Sequence, residues 1–341
     1  SPLDRSSAAS DVYKRQVVDA AERLAERLNA ASGAVQDARA AADKAIESEV
    51  ATINTKLEQV AYLNRRIAII ESEGNDPSSL LDQRQAAIDA IAEIIPVQEV
   101  ARDRGMVALF TTGGAVLLDG SRPSRFEFSA VGQMTPDLSV GIPPVMRLVQ
   151  NGGELSAAQM QLFEGGSLEA HFAVRDQLAP QIQQELDALT FDLHERLVDP
   201  AVDASYPATA AGLFADGGTR ASLPTIAGLS ARITLNPLVN PDAGGELFRV
   251  RDGLGTAFSG PVADSALLLA MADALSASTA FAGGAGFEGN GSLSSRFSEL
   301  EARVALRRVA AESESSVRNS RSETISGCLL YTSDAADERS S

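Results

Sequence analysis

The stretch from Val17 to Ser72 contains no proline and a single glycine, Gly33. Its apolar residues fall at Val17, Ala21, Leu24, Leu28, Ala31, Val35, Ala38 and Ala42. Those steps alternate four and three, the heptad spacing of a coiled-coil seam. Two steps of four, to Ile46 and Val50, shift the seam locally. Regular spacing then resumes through Ile53, Leu57, Val60, Leu63, Ile67 and Ile70. A helix of this length spans about 80 Å. Such a rod cannot fold back on itself, so other helices must cover its apolar stripe.

Gly74-Asn75-Asp76-Pro77 ends the rod, and Asp76 is expected to cap a second helix with Pro77 at its first position. Leu81, Arg84, Ile88, Ile91 and Ile95 repeat at three and four until Pro96, so this helix should pack back on the end of the rod. Arg84 falls on that stripe, where its stem can lie across the rod while its head seeks a carboxylate or carbonyl. From Val97 to Leu162 the period changes to short apolar runs at 106–110, 115–118, 126–128 and 145–149. Gly113-Gly114, Asp119-Gly120 and Asn151-Gly152 separate them as hairpin signals, which predicts an antiparallel β-domain.

Gly165-Gly166-Ser167 leads into a third long helix, with Ser167 as the expected cap. Its stripe is Leu168, Phe172, Ala179, Ile182, Leu186, Leu189, Leu193 and Leu197, and Pro180 should kink it or restart it. Gly, Pro and Asn recur from Pro200 to Gly260, which predicts irregular loops with strands at 233–235 and 247–250. Residues 264–278 read as a buried helix, apolar nearly all round. A Gly-rich flexible link follows at 282–292, then a last helix from Leu293 through Phe297, Leu300 and Val304. The two long end helices are expected to pair antiparallel.

Residues 1–16 and 328–341 are polar, short and aperiodic, and they hold the lone Cys328. They read as translated adaptor sequence, or more plainly as disordered termini. On the first reading the natural chain runs from Val17 to Gly327 and lacks its own N-terminus.

Chemistry is scarce. The chain has one Cys, two His and no Trp, which leaves no disulfide framework and no Cys-based zinc site. His194-Glu195 lacks the second His of a metalloprotease helix, since position 198 is Val. His171 and His194 lie on one helix, roughly 34 Å apart, too far to share a metal. No Walker loop, nucleophile elbow or C-x-x-C is present. A net charge of −17 disfavours nucleic acid and anionic membrane surfaces as partners. A hydrophobic content of 44% argues against disorder, yet no apolar run approaches the roughly 18 residues of a membrane span. Neither cofactor, metal nor small-molecule substrate is indicated. An enzyme acting on a wall polymer would require two carboxylates facing each other across a cleft.

Leu63-Asn64-Arg65-Arg66-Ile67 followed by Leu80-Leu81-Asp82-Gln83-Arg84 resembles the flagellar hook-associated protein 1 family. Gly165-Gly166-Ser167-Leu168, then Arg175-Asp176, Pro180, Leu186-Asp187 and Leu189, is similar to that family's G-G-x-L…R-D…L-P…L-D-x-L helix. Ser322-Glu323 and Ser326-Gly327 look like the start of its S-G-V-N-L-D-E-E element. Gln85 departs from the pattern, standing where the family usually has an acidic residue.

The resemblance implies a mainly helical α+β fold, a long antiparallel coiled-coil-like helical rod with inserted β-rich side domains. The expected divisions are a tail at 1–16, rod and returning helix at 17–96, a β-rich domain at 97–165 and a long helix at 166–199. An irregular β-rich segment at 200–261, closing helices at 262–327 and a second tail at 328–341 complete them. It further implies a non-catalytic structural layer between flagellar hook and filament, exported through the flagellar type III channel to the cell exterior. Its partners would be hook protein, a second junction protein, copies of itself and an export chaperone. The extreme terminal helices that polymerise in the family would be absent from this internal fragment. Other axial proteins, such as the second junction protein or a flagellin, share the paired helices and remain alternatives. From spacing, Leu57, Val60, Ile67, Leu293, Phe297, Leu300 and Val304 are the expected inter-helix seam.

Overall fold

The rod is real and longer than its heptads. In the computed structural model, which describes residues 2–207, 209–261, 264–281 and 284–337, helix α1 runs unbroken over Pro2–Ser72. At 1.5 Å per residue it is roughly 105 Å long. It does not begin at Val17: Lys14 is already buried and pairs with Asp11 at 2.6 Å. The buried face then follows 18, 21, 25, 28, 32, 36, 39, 43, 46, 50, 53, 57 and 60. The two consecutive steps of four therefore occur at Leu28–Ser32–Gln36, earlier than apolar spacing alone places them. From Ser32 to Arg39 the buried positions are polar, Asp43 follows beside the buried Ala42, and the alanines at 38 and 41 face solvent. An apolar-only reading follows the wrong side of the helix there.

Helix α2, Ser78–Ala92, starts one residue later than expected, with Pro77 rather than Asp76 at the N-cap position; Asp76, one residue before it, accepts the Ser78 N–H at 3.0 Å. Ala87, Ile88, Ile91 and Ile95 bury against α1. Four strands follow as an antiparallel meander, β1 Val97–Ala101, β2 Val107–Thr111, β3 Val116–Asp119 and β4 Arg122–Pro123. β1, too polar to register as an apolar run, pairs Val97 with Thr111 through Ala101 with Val107. A three-stranded sheet adds β5 Phe126–Glu127, β6 Val149–Gln150 and β7 Gly153–Glu154, with Asn151-Gly152 as the β6–β7 turn. Both sheets join a first core that combines α1 from Ile46 to Ala61 with α2, Leu117, Leu118, Leu148, Phe163 and Phe172.

Short helix α3, Ala157–Met160, carries a capping box between Ser156 and Gln159. Helix α4, Gly166–Ala173, starts two residues earlier than the expected Ser167 cap implies, with Gly165 at the N-cap position and φ +94°. Ser167 does not cap it, and its hydroxyl reaches the Glu93 carbonyl instead. A Cβ on Gly165 would meet Pro96 Cγ at 2.6 Å, so the glycine is needed for close approach as well as for its φ. Val174–Leu178 forms a π-turn that leads into α5, Ala179–Val198, with Pro180 in its first turn.

Beyond α5 come β8 Phe214–Asp216, α6 Leu229–Arg232 and β9 Ile233–Leu235, with β8 and β9 antiparallel. The expected strand at 247–250 is helical: α7 covers Arg249–Asp252. Leu247, Val250 and Leu254 face the second core at steps of three and four, a helical spacing masked by the β-branched Val250. Helix α8, Ala266–Ser276, buries only Leu267 and Met271, while Leu269 is 61% exposed. It lies at the surface, so its apolar circumference is not all enclosed. The Gly-rich run is closed rather than free, since β10 Thr279–Ala280 pairs with β11 Asn290–Gly291, and Phe281 packs on Phe287 at 4.8 Å. Its positions 282 and 283 lie outside the described residues. Helix α9 then spans Leu293–Asp337.

The antiparallel partner of α1 is α5, not α9. Gln183 bonds Ser32 and Gln36, and Arg175 meets Arg39 and Asp43, while Leu193 and Leu197 share the second core with Val18 and Ala21. α9 lies along α5: Leu293 joins Leu193 and Leu197, Leu300 joins Leu186 and Leu189, and Arg307 reaches Glu185. It therefore runs in the same sense as α1.

Candidate functional site: docking nodes along the rod

Asn64 is fully buried and all its polar atoms are used. Its Nδ2 donates to the carbonyls of Val107 and Gly120 at 2.8 and 2.6 Å, and its Oδ1 accepts the Val107 N–H at 3.2 Å. Arg84 Nη1 donates to the same Oδ1 at 3.0 Å and to the Gly105 carbonyl at 2.6 Å. The two motif fragments that end and reopen the helical hairpin thus meet at one point. There they pin the β-meander to the rod. Asn54 repeats the device with Phe126, donating to its carbonyl at 2.7 Å and accepting its N–H at 2.9 Å.

The second node sits at the π-turn. Arg175 is fully buried, between the rings of Phe172 and Phe128 at 5.0 and 5.2 Å. It donates to Asp43 at 2.8 Å, to both oxygens of Asp176, and to the Met146 carbonyl at 3.1 Å. The Asp43 carboxylate also accepts the Val131 N–H at 2.6 Å, and Arg39 donates to the carbonyls of Arg175, Thr135 and Leu138. Two buried cations and their carboxylates therefore tie α1, α4 and the loops at 131–146 together. Such a cluster is tolerable in a low dielectric because Arg175 is ion-paired with Asp43 and Asp176, and Arg39 is hydrogen-bonded to three carbonyls and to Gln36.

The third node centres on Asp187, buried on α5. It accepts from the Gly228 and Ser230 N–H groups at 2.7 and 2.9 Å, from the Ser230 hydroxyl, and from Gln183. Burial pushes its carboxyl up from the ordinary range, against the lowering effect of those four donors. Two turns on, His194 bonds the Phe214 carbonyl through Nδ1 at 3.1 Å, and its Nε2 accepts the Ala221 N–H at 3.2 Å. The N–H it receives leaves Nε2 unprotonated, and burial lowers its pKa. Arg196, paired with Asp192, donates to the carbonyls of Ala274, Ala277 and Gly291, fastening α8 and the β10–β11 loop to α5.

The expected seam residues fall in separate places. Leu57 and Val60 belong to the first core, and Ile67 is buried near the same end of α1. Leu293 and Phe297 pack in the second core, Leu300 in a third small cluster with Leu186, Leu189 and Phe287. Val304 is 38% exposed. Within one chain they form no common seam, because the end of the rod that carries Leu57 is covered by α2 and the sheets. The residues sequence spacing passed over are the buried polar ones, Ser32, Gln36, Arg39 and Asp43, which themselves repeat at four, three and four.

A cleft of about 470 Å³ carries Asp203, Asp252 and Asp264. Each is occupied structurally. Asp203 accepts from Ser205 and from the Leu254 N–H, and Asp264 caps Ala266. Asp252 pairs with Arg251 at 2.7 Å and accepts the Gly260 N–H, and the arginine holds its carboxyl below the usual range. A general acid requires the opposite shift. Among the described residues, no three His, Cys, Asp or Glu side chains are placed to hold a metal ion.

Comparison with known proteins matches this arrangement to one family. The family model for the flagellar hook-associated protein FlgK helical domain matches residues 4–197. Flagellar hook-associated protein 1 of Salmonella typhimurium is 29% identical over 118 residues, 34% of this chain and 21% of that protein, and its Salmonella typhi counterpart gives the same figures. The solved flagellar hook junction protein FlgK from Burkholderia pseudomallei aligns with TM-score 0.50 and 26% identity, over 62% of this chain and 38% of that one. All three nodes draw residues from 4–197, the matched stretch, which is more than half of the chain. The chain therefore belongs to the family of the flagellar hook-associated protein FlgK helical domain.

Proposed function

We propose that the chain is a non-catalytic structural element of the bacterial flagellum, working as an adaptor layer where the hook meets the filament. The observation that carries this reading is where the family's motif residues go. Asn64, Arg84, Arg175, Asp176 and Asp187 all serve as rivets that tie the helices to the modules packed on them, and none lines the described cleft that carries Asp203, Asp252 and Asp264. A rod stiffened in this way transmits load; an enzyme would spend such residues on substrate. The related proteins are named for the hook and its junction, which supports the location. Export through the flagellar type III channel to the cell exterior belongs to the same reading. So do hook protein, a second junction protein, copies of the chain and an export chaperone as partners. The division into rod, β-rich domain at 97–165, long helix, irregular segment and closing helices is proposed with it.

Gold-labelled antibody raised against the chain tests the proposal on intact flagella of the bacterium that encodes it. Label confined to the hook–filament junction is expected. Label along the whole filament would indicate a flagellin instead, and label on the cell wall would favour the hydrolase.

A further inference from the structure

Helix α9 uses one face to bind α5, through Leu300, Arg303 and Arg307. Its opposite face is uncovered and apolar. Ser298, Ala302, Ala305 and Val309 recur at steps of four, three and four, with Leu306 beside them, and all are exposed. Leu306 is 69% and Val309 54% exposed, unusual for side chains in register on one helix face. Glu301 and Arg308 flank this stripe on the same side, seven residues apart. Among the described residues, Arg308 makes a loose 3.5 Å contact with Glu312, both mostly exposed.

From this pattern we infer that the outward face of α9 is a self-complementary docking surface whose occupant is the same face of a second copy, packed antiparallel. In an antiparallel helix pair, flanks of the same side face each other, so charges there must be complementary within one flank. When Ala302 lies opposite Ala305 of the second copy, Ser298 lies opposite its Val309. Glu301 of each chain then comes beside Arg308 of the other. Two identical ion pairs form about a two-fold axis, which makes the contact isologous and closed. The small residues at 298, 302 and 305 allow close helix approach, and Leu306 covers the edge. A parallel pair would set Glu301 against Leu306 and gain nothing from the charges. The patch is far smaller than a standard interface of about 1,600 Å², so the dimer is weak, with Kd on the order of 100 µM.

Sedimentation velocity on the whole chain, from micromolar to millimolar concentration, tests this independently of any flagellar role. A monomer–dimer equilibrium is expected. Leu306→Asp with Val309→Asp should raise Kd about tenfold or more, because both sites bring buried charge into the contact. Glu301→Arg alone and Arg308→Glu alone should each weaken association several-fold by opposing like charges. The double swap Glu301→Arg/Arg308→Glu should recover the parent Kd. A chain that stays monomeric at millimolar concentration overturns the inference. So does a dimer indifferent to Leu306 and Val309, or a double swap as weak as the singles, since that would show that the two charges do not meet.

Discussion

At the residue scale the molecule is organised by side-chain amides and carboxylates that answer backbone groups of another segment. Asn64 is the clearest case, with four hydrogen bonds that no single aliphatic residue can replace. Asn64→Ala leaves the Val107 N–H and two carbonyls unpaired, and should cost about 2–4 kcal/mol in urea denaturation. A change below about 0.5 kcal/mol, the range of ordinary surface substitutions, would mean that the node is not formed. His194 makes a second prediction, on pH. Its folded pKa is lowered, first by burial, so the unfolded side chain takes up a proton before the folded one as pH falls. The stability it protects is fully present above the unfolded value of about 6.5 and drains away as pH drops below it. Asp187 has the opposite sign: its raised carboxyl is protonated first in the folded state, so it adds stability at lower pH, through the carboxyl range. His194→Gln should therefore shrink the drop in urea midpoint between roughly pH 7.5 and 5.5, around the unfolded histidine value. An equal drop in both proteins would remove His194 from the account.

At the element scale the sequence was legible wherever one period ran unopposed. The rod, the returning helix, the turn at Asp76-Pro77 before it and the three Gly-containing hairpin turns all announced themselves through spacing and turn chemistry. Illegible elements had competing signals: β1 is half polar, and α7 hides a helical step behind Val250. The choice of partner for α1 also escaped, because Ser32, Gln36, Arg39 and Asp43 hold the buried face while neighbouring alanines point outward. Of the nodes, the motif residues were visible but their meeting points were not, since Asn64 and Arg84 converge only after the hairpin closes. This bears on Leu57 and Leu300, which spacing placed in one seam. They lie in different clusters, so Leu57→Ala and Leu300→Ala should each cost about 2–5 kcal/mol and add to within about 0.5 kcal/mol in the double variant. Coupling well above that would restore a shared seam.

At the scale of the whole molecule, the first core and the other two are strung along one helix, with a polar stretch between them. Apolar burial on α1 stops at Leu28 on one side and restarts at Ala42 and Ile46 on the other. Across that gap the two regions are joined by the α1 backbone, by the continuous run from α4 through the π-turn into α5, and by polar contacts: Gln183 on Ser32 and Gln36, Arg175 with Asp43 and Asp176, and Arg39 with its three carbonyls. Hydrophobic contact is non-directional, so two apolar cores on a rod could slide or tilt relative to one another. Paired buried charges cannot shift by even an ångström without losing partners, and they fix the relative setting of the modules. Removing one charge should therefore do more than destabilise. Arg175→Met leaves Asp43 buried without its cation, at a cost of about 3–5 kcal/mol, and also releases the first core from the second. Calorimetry should then resolve two endotherms where the parent gives one cooperative transition. Asp43→Asn added to Arg175→Met removes the stranded charge and should recover part of the lost stability. It should not recover the single transition, because the neutral pair no longer clamps the π-turn to the rod. If Arg175→Met melts in one transition merely displaced to lower temperature, the polar stretch contributes stability without coupling the modules.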